Sequence, residues 1–262
     1  MQELHIPGTE WEGELTTEVG ASPASPTRVT LNRLLFRVMV FFCGAVAVVL
    51  HRLNRKRAWQ WVAFSARSLG VATGVKVKLH GLENLPGRPS VITPNHASHY
   101  DIAALLGYLP GNNRFAAKKE LFREPVLGLA MKTLGMIPID REDPARSIER
   151  LNRLQSRGQD AFSLVVFPEG TRSSEKGLES FKKGAFALAI QLGRPVVPIA
   201  IHGTSGVMPR GRYLSIRPGT VVIEVLPAIE TEGMTYDDRD RLSDQTRAAI
   251  VARLSRARDT TE

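Results

Sequence analysis

Acidic residues are missing from the whole stretch between Glu18 and Glu83. The same stretch holds ten basic ones: Arg28, Arg33, Arg37, Arg52, Arg55, Lys56, Arg57, Arg67, Lys76 and Lys78. Those ten exceed the formal net charge of the entire 262-residue chain, +9, so the basicity belongs to one segment. A nucleic-acid role is excluded on the same ground. Residues 38–50, in the middle of the basic stretch, carry no charge at all, and phosphate-binding segments have no use for such a run. Cysteine is almost absent. Cys43 stands alone, which rules out an internal disulfide and fits a reducing compartment. A G-x-S-x-G nucleophile elbow, a P-loop and a dinucleotide fingerprint are all lacking. No serine-hydrolase mechanism and no nucleotide cofactor is therefore implied.

What the acid-free segment does contain is the most apolar run in the chain, "VMVFFCGAVAVVL". Extended back to Leu34 it interrupts itself only at Arg37. At about 1.5 Å per residue it falls short of the ~30 Å hydrocarbon core. The run begins too late for a signal peptide, and no small-residue cleavage site follows it. Behind it come the basic "HRLNRKR" and then Trp59 and Trp61, residues suited to a headgroup layer. Residues 30–72 read as two helices in a hairpin lying in, or partly crossing, a bilayer. The plain alternative is a buried core helix followed by a surface helix. Ahead of this segment, residues 1–27 read as a flexible tail, small and proline-rich at "GASPASPT".

From residue 75 the pattern becomes strands alternating with helices. "VKVKLHG", "SVITPNH", "RFAAK", "MIPID", "FSLVVFPEG", "VVPIAIHG" and "TVVIEVL" read as strands. "DIAALLGYL", "EPVLGLAMKTLG", "DPARSIERLNRLQSRG", "KGAFALAIQLGRP" and residues 236–258 read as helices. The division is a tail over 1–27, a membrane-associated helical hairpin over 28–74 and an α/β domain over 75–262. The expected fold class is α/β, with a mostly parallel central sheet flanked by helices. Sites in such folds gather on loops at the carboxyl ends of strands. "NHASHYD" (95–101), "DR" (140–141) and "EGTRS" (169–173) all follow strands.

In "NHASHYD", His96 and Asp101 are five apart, and a turn between them can bring the carboxylate to one imidazole nitrogen. The other nitrogen then acts as an oriented base. Two other readings stay open: His96 capping a turn with Asp101 at a helix N-terminus, or His96, His99 and Asp101 as metal ligands. "FPEGTRS" asks for an anion. Gly170 allows close backbone approach, Thr171 and Ser173 offer hydroxyls, and Arg172 offers a guanidinium fork. Glu169 either holds Arg172 or contacts a substrate hydroxyl. Arg141 and Lys182 add cations, and an ordinary turn with solvated lysines is the alternative.

Together these blocks resemble the glycerolipid acyltransferases related to 1-acylglycerol-3-phosphate acyltransferase. The match runs in order through Asn95, His96 and Asp101, "GMIPIDR" (135–141), "FPEGTRS" (167–173) and "VVPIAI" (196–201), with "FKKGA" after the third block. Pro138 departs from the pattern, where many members carry phenylalanine or another apolar residue. The resemblance implies that His96, oriented by Asp101, deprotonates a hydroxyl of a lysophospholipid acceptor, lysophosphatidic acid in particular. The oxygen then attacks an acyl thioester of coenzyme A or acyl-carrier protein. Arg141, Glu169, Gly170, Thr171, Arg172, Ser173 and Lys182 would hold the acceptor. No metal and no bound cofactor is implied, and the hairpin would keep the enzyme against membrane lipids on the cytoplasmic face of the cell membrane.

Overall fold

The computed structural model describes residues 19–139, 161–173, 177–210 and 215–259. The expected helix over 143–158 and the Asp140–Arg141 pair lie outside them. Eight strands form one sheet: β1 (Gly20–Ala21), β2 (Val75–His80), β3 (Val91–Pro94), β4 (Asn113–Lys118), β5 (Ile137–Ile139), β6 (Ser163–Val165), β7 (Val196–His202) and β8 (Gly219–Val225). The helices are α1 (Pro26–Leu53), α2 (Arg55–Thr73), α3 (Tyr100–Tyr108), α4 (Pro125–Thr133), α5 (Gly184–Gln191), the single turn α6 (Thr204–Val207) and α7 (Arg239–Asp259).

The sheet is mixed. Its order is β1-β8-β7-β3-β6-β4-β5, with β2 on the other edge of β8. Strands β3 to β7 pair in parallel, β7 and β8 pair antiparallel, and β2 runs parallel to β8. The reversal comes at β8, which follows the single turn α6 and pairs antiparallel with β7. As a result the carboxyl ends of β3, β4, β6 and β7 share one rim with the amino ends of β2 and β8. Strand burial explains the continuous apolar runs, since every residue of β3, β7 and β8 is buried. One face packs Ile92, Leu105, Ile199, Val221 and Ile223 under α3. The other packs Phe186, Ala200, Leu242 and Ile250 under α5 and α7.

The N-terminal helices are joined to this body. Ser25 caps α1, accepting from the Arg28 N–H at 3.3 Å with Pro26 next to it, as a helix start favours. Asn54 ends α1 and caps α2, accepting from the Arg57 N–H at 3.1 Å. Gly74, at φ +77°, closes α2 in a left-handed conformation that suits glycine. Ala47, Ala58 and Val62 are buried between the helices, and the Trp61 indole donates to the Cys43 carbonyl at 3.3 Å. Asn32 fastens the start of α1 by donating to the Thr73 and Ile216 carbonyls, at 3.2 and 3.0 Å. Even the segment read as a loose tail reaches the sheet, because Gly20 and Ala21 pair with Thr220 and Gly219.

Candidate active site

The rim where the parallel strands end carries the polar motifs. Asn95, just past β3, behaves like one more strand residue. Its side chain donates to the Ile201 carbonyl at 3.0 Å and accepts the Ile201 N–H at 2.7 Å. This double bond ends β3 in register with β7 and fixes where His96 emerges. The turn that follows is held from within by Ser98. Its N–H donates to Asp101 Oδ2 at 2.8 Å, its hydroxyl donates to the Met208 carbonyl at 2.8 Å, and the same oxygen accepts the Tyr100 N–H at 3.2 Å.

His96 Nδ1 lies 2.8 Å from Asp101 Oδ2. Asp101 is fully buried, while the His96 side chain keeps 13% of its exposure. A buried carboxylate that already accepts the Ser98 N–H takes its second hydrogen bond from Nδ1–H. That tautomer leaves the Nε2 lone pair facing away from Asp101. Phe167 stacks on the imidazole at 4.1 Å between centroids and 26° between planes, which fixes the ring's tilt as Asp101 fixes its rotation. The His99 ring sits 6.3 Å from that of His96. Burial first, then the positive charge of Arg172, hold the His99 imidazole below its ordinary pKa. The charge of Arg172 is thus near enough to be felt at His99. Among the described residues no group of three or more His, Cys, Asp or Glu is arranged to hold a metal ion, and Asp101 Oδ2 is already engaged by two N–H donors.

The "FPEGTRS" loop meets "NHASHYD" directly. Gly170, at φ +69°, sits in a turn with its N–H on the Phe167 carbonyl at 3.1 Å. A side chain at this position would strain the turn. Thr171 is exposed, and Arg172 is half-buried. Glu169 and Ser173 meet each other. Glu169 is 2% exposed and accepts the His96 N–H at 2.7 Å, the Ser173 hydroxyl at 2.7 Å and the Glu179 N–H at 3.0 Å. It neither pairs with Arg172 nor opens towards a substrate, and the Ser173 hydroxyl is spent on it. Lys182 has an exposed side chain, and its N–H donates to the Pro168 carbonyl at 2.7 Å. Lys183 pairs with Asp240 on α7. Arg141 lies outside the described residues.

Three contributors carry no signal that spacing could reveal. Phe167 looks like one more apolar strand residue, and Ser98 like turn filler. Arg210 belongs to no motif, yet its guanidinium lies 3.5 Å from the Arg172 and Ser173 carbonyls. The segment after β7 thus reaches the same rim.

Comparison with known proteins agrees with this geometry. A family model described as Acyltransferase matches residues 76–202. The chloroplastic 1-acyl-sn-glycerol-3-phosphate acyltransferase of Arabidopsis thaliana is 36% identical over 188 residues, 71% of this chain and 52% of that protein. That of Saccharomyces cerevisiae is 33% identical over 219 residues, 81% of this chain and 72% of that protein. The crystal structure of the 1-acyl-sn-glycerophosphate (LPA) acyltransferase PlsC from Thermotoga maritima superposes with a TM-score of 0.69 at 25% identity, covering 85% of this chain and 91% of that one. The chain spans only about half the length of the Arabidopsis relative. With "NHASHYD" and "FPEGTRS" meeting on one rim and these similarities across most of its length, the chain belongs to the 1-acyl-sn-glycerol-3-phosphate acyltransferase family.

Proposed function

We propose that this protein transfers an acyl chain from a thioester to the free hydroxyl of 1-acylglycerol 3-phosphate, giving phosphatidic acid. The observation that carries the reading is the His96–Asp101 contact at 2.8 Å, which leaves the opposite ring nitrogen turned away from the carboxylate. The mechanism follows from it. Nε2 takes the proton of the acceptor hydroxyl as its oxygen attacks the thioester carbonyl, and Asp101 stabilises the imidazolium that forms. Collapse of the tetrahedral intermediate breaks the C–S bond, and the imidazolium returns the proton to the departing thiolate. One ester and one thiol result, and no covalent acyl-enzyme is needed. Arg172, with Arg141 from outside the described residues, supplies charge for the acceptor phosphate. The donor is an acyl-coenzyme A or an acyl-carrier protein. The test is thiol release from palmitoyl-coenzyme A by the full chain, with and without lysophosphatidic acid. Release that depends on the acceptor supports the reading. Release to water alone, or release that needs added metal, overturns it.

The membrane side of the proposal rests on α1. It is long and apolar enough, by length and composition, to cross a membrane, and 6% of its most apolar window is buried. Leu34, Val38, Phe41, Phe42 and Val49 are all more than half exposed. The opposite side of the helix is held along its length, by Asn32 near one end, Cys43 in the middle and Gly44 facing Ala130 of α4. Full crossing would tear those contacts apart. The α1–α2 pair therefore lies shallowly in the cytoplasmic leaflet of the cell membrane, with the basic cluster 52–57 at the headgroups. High salt should release the protein from anionic vesicles only in part, because the apolar contribution is unscreened. Complete release by salt would refute embedding.

A further inference from the structure

We infer that Glu169 is a positioning residue for His96, acting through the main chain, and that it does not hold the acceptor; this rests on the acyl-transfer reading of the site. The contacts form a closed ring of three residues from two loops. Glu169 Oε1 accepts the His96 N–H at 2.7 Å. The Ser173 N–H donates to the His96 carbonyl at 2.5 Å. The Ser173 hydroxyl closes the ring by donating to Glu169 Oε2 at 2.7 Å. Both peptide groups flanking the base are thus gripped by the loop that follows β6, while His96 itself emerges from β3.

The Glu179 N–H gives the carboxylate a third donor at 3.0 Å. A carboxylate offers about four lone-pair positions. With three filled and 2% of the residue exposed, no face is left from which a glycerol hydroxyl could reach it. What the arrangement does offer is precision. The His96 Cα is held on both sides, so the imidazole can swing only about its own side-chain torsions, and Asp101 and Phe167 restrict those. A misplacement of about 1 Å costs on the order of a hundredfold in rate at such a site. The carboxylate also places negative charge beside a ring that becomes cationic in the transition state, which favours that state.

Steady-state kinetics of the full chain on vesicles, with palmitoyl-coenzyme A and lysophosphatidic acid, separates the possibilities. Glu169→Gln keeps the shape but turns an amide N–H₂ either towards the His96 N–H or towards the Ser173 hydroxyl and the Glu179 N–H. It should lower kcat by about 10- to 100-fold, the range for losing a charge-assisted hydrogen bond, with KM for the acceptor changed by less than about twofold. The acidic limb of the pH–kcat profile should move to lower pH, because removing a negative charge disfavours the imidazolium. Ser173→Ala leaves the carboxylate charged and loses one strut. It should lower kcat less, without the pH displacement, and it carries the test should Glu169→Gln fail to fold. A tenfold rise in acceptor KM with kcat retained, in either variant, would overturn the inference. So would a fall in Tm with kcat per folded molecule unchanged. His96→Ala separates two failures. Turnover lost in His96→Ala but kept in Glu169→Gln overturns the positioning role alone. Turnover that survives His96→Ala overturns the base reading and this inference with it.

Discussion

Among the described residues two histidine–carboxylate pairs have nearly the same length but very different surroundings. His96 meets Asp101 at 2.8 Å, and His202 meets Glu224 at 2.9 Å. The second pair bridges β7 and β8, both partners are 4% exposed, and Arg253 of α7 closes on the same carboxylate. It lies on the sheet face that α7 covers, with Leu242 and Ile250 packed nearby. The first pair sits on the rim, with a buried carboxylate and a ring that keeps part of its surface. Contact between an imidazole and a carboxylate therefore does not make a site. What separates the two is the second nitrogen. In His96 Nδ1 is tied and Nε2 is turned away from the carboxylate. In His202 it is Nε2 that faces the carboxylate, inside the core. On the proposed mechanism the first pair orients a base, while the second ties the last helix to the sheet.

The largest test of this contrast removes each imidazole in turn. His96→Ala should reduce turnover by about 10²–10⁴, the usual cost of losing a general base, with a smaller fall in Tm than His202→Ala, because the His96 ring keeps more of its surface. His202→Ala should do the reverse, lowering Tm while the folded fraction keeps its specific activity. Thermal unfolding alongside thiol-release rates gives both readings. Equal loss of activity in both variants would erase the distinction.

Next in size is Glu224→Ala. It leaves the guanidinium of Arg253 without this carboxylate inside the protein, and breaking a buried pair costs about 3–5 kcal/mol. Urea unfolding measures the loss, and a change under 1 kcal/mol would show that α7 is held by apolar packing alone.

Much of this molecule could be read from sequence, and the limits are instructive. Periodicity revealed the alternation of strands and helices because β3, β7 and β8 are buried on both faces and are mostly apolar. The mixed direction of the sheet could not be read that way, since a strand's composition does not encode the sense of its neighbour. The His96–Asp101 contact was legible because both partners lie in one turn. The role of Glu169 was not. Its partners His96 and Glu179 are 73 and 10 residues away, and only the fold shows that its oxygens are already used. Similarly, "VVPIAI" reads as a strand, while its service to the site, pinning Asn95 through Ile201, depends on β3 and β7 being neighbours. Residues 20–21 belong to the sheet through two backbone pairings, which side-chain identity cannot announce.

A smaller effect is expected from Arg172→Ala, which removes charge from the rim without touching either pair. A charge-assisted contact is worth about 1.5–3 kcal/mol, so KM for lysophosphatidic acid should rise roughly 10- to 100-fold. KM for the thioester should change little, and the His99 imidazole, relieved of a cationic neighbour, should titrate at higher pH by NMR. Equal effects on both substrates would remove Arg172 from the acceptor pocket.

The smallest effect separates the two carboxylates by pH. Burial alone would raise the pKa of Glu224, but its contacts with His202 and Arg253 outweigh burial and hold it below the usual glutamate value. A carboxyl whose folded pKa is depressed stabilises the protein fully above its unfolded pKa, and loses that contribution as pH falls through the folded value. The window therefore lies below about pH 4.3, the ordinary glutamate value. The stability difference between wild type and Glu224→Gln should be constant from pH 8 to 6, narrow below pH 4.5, and approach zero at the acid end of the native range. Glu169 runs the other way. Its burial is the larger influence and lifts its pKa despite three donors, so the stability it contributes declines as pH rises through that value. Urea unfolding of Glu224→Gln and Glu169→Gln at pH 4 and pH 7 should therefore give stability differences from wild type that change in opposite directions between the two pH values. Differences that change in the same direction would mean that Glu169, like Glu224, is held mainly by its partners, and the two carboxylates would then differ in place but not in kind.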